Sequence, residues 1–290
     1  MKKISCLLAA LSTSFSVNAL NNISKDLYVQ LSKNYYAPVP FKYDHAYCAD
    51  AVESFFQFID LPASVTEKFK GKLSSKHRRG ELGLVYRHKT KGNAYSDKKH
   101  FFHYHPKLKK QHQAAINKNP IVRDFFSKAD ALWHEVARQL KPVLLKLEPH
   151  HPGIYDKILK TRQPHIVLRF LRYDIQTPGK LLAKPHYDAG AMTFAIAESK
   201  PGLRIGSGPQ DLTLVSHQDN QALFFLAANF NQLTSMGPLK PGWHDVIQVG
   251  KKSHNNKYER WAVVAFIDGH DTPGAPESLT HKWRVSTALL

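Results

Sequence analysis

His186 and Asp188 stand two positions apart in Lys184-Pro185-His186-Tyr187-Asp188-Ala189-Gly190-Ala191-Met192-Thr193-Phe194. On a β-strand, positions i and i+2 point to the same face, so an imidazole and a carboxylate at this spacing would aim at one point. A second imidazole delivered from elsewhere would complete the two-histidine, one-carboxylate set that holds non-haem Fe(II) and leaves coordination positions open, the donor set of an iron-dependent oxygenase. Two histidines could do so. His244 lies in Pro241-Gly242-Trp243-His244-Asp245-Val246-Ile247, and His281 in Thr280-His281-Lys282-Trp283-Arg284-Val285-Ser286; His254 is a poorer third. His100, His103 and His105 form a denser group, but no carboxylate or ligand spacing there specifies a metal geometry.

Such a set needs strands to present it, and the second half of the chain supplies them. Ile166 to Leu171, Met192 to Ala197, Leu203 to Ile205, Leu212 to Val215, Ala222 to Ala228, Asp245 to Val249 and Trp261 to Ile267 are short, apolar and separated by turn residues. This spacing predicts a sandwich or barrel. The first half reads differently. Asp26 to Ser32 and Ala49 to Ile59 have helical patterns, the second stopping at Asp60-Leu61-Pro62. Between them, Tyr35 to Phe41 is extended, and its two prolines suit an edge strand or loop. Ser64 to Lys98 is basic and turn-rich, which predicts loops and short strands. Ile121 to Leu147 is the longest helix signal, with Phe125, Ala129, Leu132, Trp133, Val136, Leu140, Leu144 and Leu147 at helical spacing and Pro142 as a candidate kink. The expected plan is mainly β with a helical N-terminal half: an appended segment over 1–20, a helical region over 21–150 packed on the barrel, and a β-barrel core over 151–290.

Composition narrows the class. The chain has 290 residues and a formal net charge of +18. No apolar stretch reaches the ~18 residues of a membrane-spanning helix. Cys6 and Cys48 make neither a disulfide framework nor a zinc site. The charge suits anionic partners, whether nucleic acid, a membrane surface or acidic small molecules, but no nucleic-acid motif of known docking geometry stands out. Met1-Lys2-Lys3, the apolar run Ile4 to Val17 and the small residues Val17-Asn18-Ala19 have the pattern of a secretory signal peptide. Ser12, Thr13, Ser14 and Ser16 interrupt the run, so a first helix of a cytoplasmic protein is the competing reading.

From Leu27 to Ile267 the chain resembles the 2-oxoglutarate- and Fe(II)-dependent dioxygenases, in the branch like isopenicillin N synthase and the plant oxidases. Leu168-Arg169-Phe170-Leu171-Arg172-Tyr173 matches the strand before the His-x-Asp segment, and Pro201-Gly202-Leu203 the Gly-Leu strand after it. Ala222 to Gly237 matches the stretch leading to the distal histidine, which favours His244 over His281. Phe55-Phe56-Gln57-Phe58-Ile59-Asp60-Leu61-Pro62 with Lys68 resembles an upstream signature of the family.

The resemblance implies a double-stranded β-helix, or jelly roll, and iron held by His186, Asp188 and His244. It implies Arg260 gripping the far carboxylate of 2-oxoglutarate through a bidentate pair, with Tyr173 donating a hydroxyl bond to the same molecule. It also implies O2 as oxidant, succinate and CO2 as products, and a small-molecule substrate that is hydroxylated or otherwise oxidised. Arg169 reads as a packing or pairing residue with a substrate role open. Lys and Arg in Ser75 to His105 and the C-terminal tail favour an anionic substrate. Three features depart from the family. Ala262 stands where a serine is usual, Asp245 where arginine often follows the distal histidine, and Gly250 to Lys257 lengthens the gap before Arg260. The Arg284-Val285-Ser286 segment after His281 is an alternative clamp. A non-catalytic basic barrel binding an anionic ligand or nucleic acid is the alternative function.

Overall fold

The computed structural model describes residues 27–71, 82–91, 95–159, 165–174, 181–235, 237–249 and 258–269. The segment 1–20, the stretch 250–257 with His254, and His281 with Arg284 lie outside them. Helix α1 (27–34) leads into strand β1 (Ala37–Pro40). Helix α2 (His45–Ile59) starts four residues before its apolar stripe, because the Asp44 carboxylate accepts from the Tyr47 N–H and caps it. A short helix α3 (Ala63–Thr66) and a 3-10 turn (Glu67–Phe69) precede a long hairpin, β2 (Gly83–Lys91) and β3 (Tyr95–Tyr104). Helices α4 (Pro106–Gln111), α5 (Gln113–Lys118), α6 (Pro120–Leu147) and α7 (Ile154–Leu159) complete the first half. The second half is β4 (His165–Tyr173), β5 (Leu181–His186), β6 (Met192–Glu198), β7 (Leu203–Gly208), β8 (Asp211–Leu214), β9 (Gln221–Leu226), helix α8 (Phe230–Leu233), β10 (Trp243–Ile247) and β11 (Arg260–Asp268).

Pairing runs β1-β9-β6-β11-β4-β3-β5-β10-β7-β8, with β2 on the far side of β3. From β4 onward the chain crosses repeatedly between two antiparallel groups, β9-β6-β11-β4 and β5-β10-β7-β8, which is jelly-roll topology. The groups meet at β3, whose pairing with β5 is the single parallel bridge Tyr95 to Leu181. The described residues thus form a sandwich of two sheets in place of a closed barrel. β1 is an edge strand, as its prolines require.

Successive side chains along each strand point to opposite faces and sort into two cores. On the outer face of the larger sheet, Ile166, Leu168 and Phe170 of β4 and Val263, Ala265 and Ile267 of β11 pack with the α6 stripe. Phe125 meets Phe170 edge-on at 5.2 Å, and the Trp133 indole donates to the Ile166 carbonyl at 2.9 Å. α6 runs unbroken for 28 residues with Pro142 inside it. On the inner face the cluster is smaller and includes Ala183, Ala195 and Ala262, so it leaves space between the sheets.

Two elements differ from the expectation. The basic segment before His105 is a hairpin with strands of nine and ten residues, and β3 is built into the main sheet. Strand β5 carries Lys184 and Pro185 among its apolar residues, which hides its pattern. The proline is tolerated because β5 is paired over most of its length on one side only, by β10.

Candidate metal centre

His186 is the last residue of β5 and His244 the second of β10. The antiparallel register of these strands sets His244 directly opposite His186, with ring centroids 4.3 Å apart. Asp188 is not on a strand, contrary to the pleat argument: the chain has left β5 by then. The turn brings its carboxylate back, and the turn is stitched to its neighbours. The Ala228 N–H donates to the Asp188 carbonyl at 3.0 Å, and the Ala191 N–H to the Ile267 carbonyl at 2.8 Å. Between them, Gly190 lies so close that a Cβ there would sit 2.9 Å from the Ile267 carbonyl oxygen.

The three side chains converge. Asp188 Oδ1 is 3.6 Å from His186 Nε2, and Oδ2 is 3.7 Å from His244 Nε2. One donor atom from each residue lies within 4.8 Å of the others, a spacing that could hold a metal ion. The orientation is fixed from behind. His186 Nδ1–H donates to the Lys184 carbonyl at 2.6 Å and His244 Nδ1–H to the Gly242 carbonyl at 3.0 Å, which leaves both Nε2 lone pairs facing the carboxylate. The Thr193 hydroxyl donates to Asp188 Oδ2 at 2.7 Å. Burial by itself would raise the Asp188 pKa. The charge of His244, the hydrogen bond and charge of His186 and the Thr193 bond outweigh it and hold the carboxyl well below its usual range. Burial pushes the His244 imidazole down, against the pull of Asp188. An ionised carboxylate and a neutral imidazole are the forms that ligate metals.

A cavity extends from these residues between the sheets. Its walls include Tyr173 and Arg260, neighbours in the β4–β11 register. Arg260 is 2% exposed. Its Nη2 donates to Glu198 and its Nε to the Lys200 carbonyl at 3.2 Å, while Nη1 is buried without a hydrogen-bond partner. Its guanidinium carbon lies 5.6 Å from the centre of the Tyr173 ring. Although burial pushes the Glu198 carboxyl up, the charge of Arg260 and then the bond from His217 hold it low. Ala262 faces the same cavity and offers no hydroxyl. A second cavity shares His186, Asp188, Arg169 and Phe266 with the first.

Other candidates find structural places. His100 stacks on Tyr86, His103 Nε2 accepts from Arg169 Nε at 2.6 Å, and His105 caps α4 by accepting from the Lys107 N–H. No metal group forms there among the described residues. Asp245 receives a bidentate pair from Arg204 on β7. Sequence reasoning missed Thr193 and Glu198. Thr193 carries a signal, a hydroxyl in an otherwise apolar strand five residues after the carboxylate.

No protein-family model matches the chain, and no curated protein sequence matches it. Solved structures do. A Caulobacter crescentus protein assigned to the 2OG-Fe(II) oxygenase family superposes with a TM-score of 0.67 at 15% identity, over 93% of this chain and 96% of its own. A full-length Neurospora crassa protein, solved in complex with alpha-KG, gives 0.65 at 14% identity over 86% of this chain and 80% of its own. The Arabidopsis thaliana dioxygenase for auxin oxidation, solved with 2-oxoglutarate, gives 0.59 at 15% identity, over 86% and 90% respectively. At these identities the likeness is one of fold: the chain has the jelly-roll fold of those oxygenases.

Proposed function

We propose that the protein is an Fe(II)- and 2-oxoglutarate-dependent oxygenase of the isopenicillin N synthase-like branch, acting on a small organic molecule. The observation that carries this reading is one cavity with a three-donor metal site at one end and a buried arginine with an unpartnered Nη1 at the other. His186, Asp188 and His244 would hold the iron. The donor set fits Fe(II), which accepts imidazole nitrogen and carboxylate oxygen and keeps positions open in this arrangement. Bound iron with 2-oxoglutarate and O2 would supply the oxidising chemistry, releasing succinate and CO2.

The protein's own part is placement. Arg260 Nη1 would receive the far carboxylate of 2-oxoglutarate, satisfying a buried donor that is otherwise costly. Tyr173 lines the same end and can donate through its hydroxyl. Leu171, Ala262 and Val264 on the inner faces of β4 and β11 would exclude water along the co-substrate. The second cavity meets the metal site from the other side and is where a substrate would enter. Arg169 stands on its wall between the rings of Phe101 and Phe266, at 5.0 and 4.4 Å, which favours an anionic substrate group. That the Neurospora protein and the auxin dioxygenase carry the co-substrate on the same fold supports this reading.

Anaerobic titration of Fe(II)-loaded protein with 2-oxoglutarate tests the proposal. The expected result is a weak visible charge-transfer band, absent in His186→Ala and weakened in Arg260→Ala. Iron binding without a band in the wild type would exclude 2-oxoglutarate. No iron binding at all would return the protein to the anion-binding alternative.

A further inference from the structure

The charge of the chain is concentrated in one stretch. Residues 68–123 hold sixteen lysines and arginines against two acidic residues, Glu81 and Asp97, which is +14 of the total of +18. The rest of the chain holds twenty-five against twenty-one and is close to neutral. The described parts of the basic stretch lie together. Lys70 bridges to Leu84 of β2, so the 3-10 turn (Glu67–Phe69) rests on the hairpin. Phe69 meets His112, which stands between α4 and α5, with ring centroids 5.1 Å apart. The turn, the start of β2, α4 and α5 therefore form one surface, and the start of α6 continues it. On this surface Lys68, Lys107, Lys110, Lys118 and Arg123 are exposed and form no ion pair among the described residues. The carboxylates beside them are already engaged: Glu67 pairs with Lys70, Asp130 with Lys109 at 2.7 Å and Asp124 with Lys128 at 2.9 Å.

A cluster of uncompensated cations this large exceeds what a small-molecule site requires and suits a polyanion. An anionic bilayer and a nucleic acid both carry the matching charge. A bilayer gains affinity from apolar side chains that enter it. Among the described residues the exposed large hydrophobic side chains are Val29, Tyr86, Leu145 and Leu214, and only Tyr86 falls within the basic stretch. Tyr86 lies two residues along β2 from Leu84, on the same face. It is 51% exposed, and its ring stacks on His100 with centroids 4.2 Å and planes 25° apart. A half-exposed, stacked aromatic ring within a basic surface is what an unpaired base stacks on.

We infer that this basic face docks single-stranded nucleic acid, with its exposed lysines and Arg123 against the phosphates and Tyr86 against a base. Contacts of this kind fix the strand by its backbone and do not read its sequence. The face shares no residue with His186, Asp188 and His244, so docking is independent of the metal.

The test is fluorescence anisotropy of a labelled, mixed-sequence DNA single strand of about 20 nucleotides, titrated with the full chain from about 0.05 to 1 M NaCl. Each phosphate contact on a single strand contributes about 0.7 to the slope of log K against log salt. The triple variant Lys107→Gln, Lys110→Gln, Lys118→Gln is expected to flatten that slope by about 2 and to weaken binding roughly 100-fold at about 0.1 M salt. A second triple variant, Lys33→Gln, Lys141→Gln, Lys240→Gln, removes the same net charge from exposed positions outside the stretch and should bind like wild type. Tyr86→Ala should weaken binding roughly 5- to 100-fold with the slope unchanged. Equal losses in the two triple variants would mean that net charge alone attracts the strand and would overturn the inference. Tyr86→Ala binding like wild type would do the same, as would a wild-type protein that binds no strand at about 0.1 M salt. Binding to phosphatidylglycerol-containing vesicles with none to the strand would assign the face to a membrane instead.

Discussion

Thr193→Val removes one atom's chemistry from the candidate metal centre and nothing of its shape. The Thr193 side chain is fully buried on β6, and its hydroxyl donates to Asp188 Oδ2 at 2.7 Å. Valine occupies the same volume and suits a strand, so no cavity term enters. What disappears is a hydrogen bond to an ionised acceptor, worth about 1.5–3 kcal/mol. For a chain of this size that corresponds to a fall in melting temperature of about 3–12 °C at neutral pH. The sign of the pH dependence follows from Asp188. Its folded pKa is depressed, so this stability is present above the unfolded carboxylate value near ~4 and is lost as pH falls toward the folded one. The gap between wild type and variant should therefore narrow in acid. Metal affinity should fall roughly 10- to 100-fold, because the carboxylate loses the group that orients it. Thermal melts of the metal-free protein across pH, with Co(II) competition against a chromophoric chelator, measure both. A variant that melts within about 1 °C of wild type and binds Co(II) equally would show that the bond does not hold the carboxylate.

Other outcomes follow from the same geometry. Glu198→Gln leaves the buried Arg260 charge uncompensated and should cost about 3–5 kcal/mol at neutral pH. Because the Glu198 pKa is lowered in the fold, that cost should shrink as pH falls below about 4, which denaturant titration at several pH values would reveal. Saturating Co(II) at about 100 times its dissociation constant should stabilise wild type by about 2.7 kcal/mol. It should leave the melting point of His244→Ala unmoved, and a shift in that variant would mean the metal binds elsewhere. Burial pushes the Cys48 thiol up to about 12, so peptide mapping should find Cys48 unmodified after iodoacetamide treatment of the native protein and alkylated after unfolding.

Much of this protein is determined locally. The α6 stripe, the prolines of β1 and the short apolar runs of β4, β6 and β11 are legible from side-chain spacing, which a strand or helix converts directly into buried faces. His186 and Asp188 are legible because they are neighbours in sequence, even though a turn and not a pleat makes them converge. What local sequence does not encode is pairing. By sequence, His244 and His281 are both candidates to complete the donor set; the β5–β10 register sets His244 opposite His186, while His281 lies outside the described residues. Lys99 reads as one basic residue in a basic segment, and only the β3–β4–β11 register sets it in a row with Arg260, far away in the chain. Glu198 gives no sign in the sequence that it neutralises a buried arginine. Each of these depends on which strands lie side by side. That choice is made by the sum of contacts over the whole sandwich, and no short stretch of residues contains it.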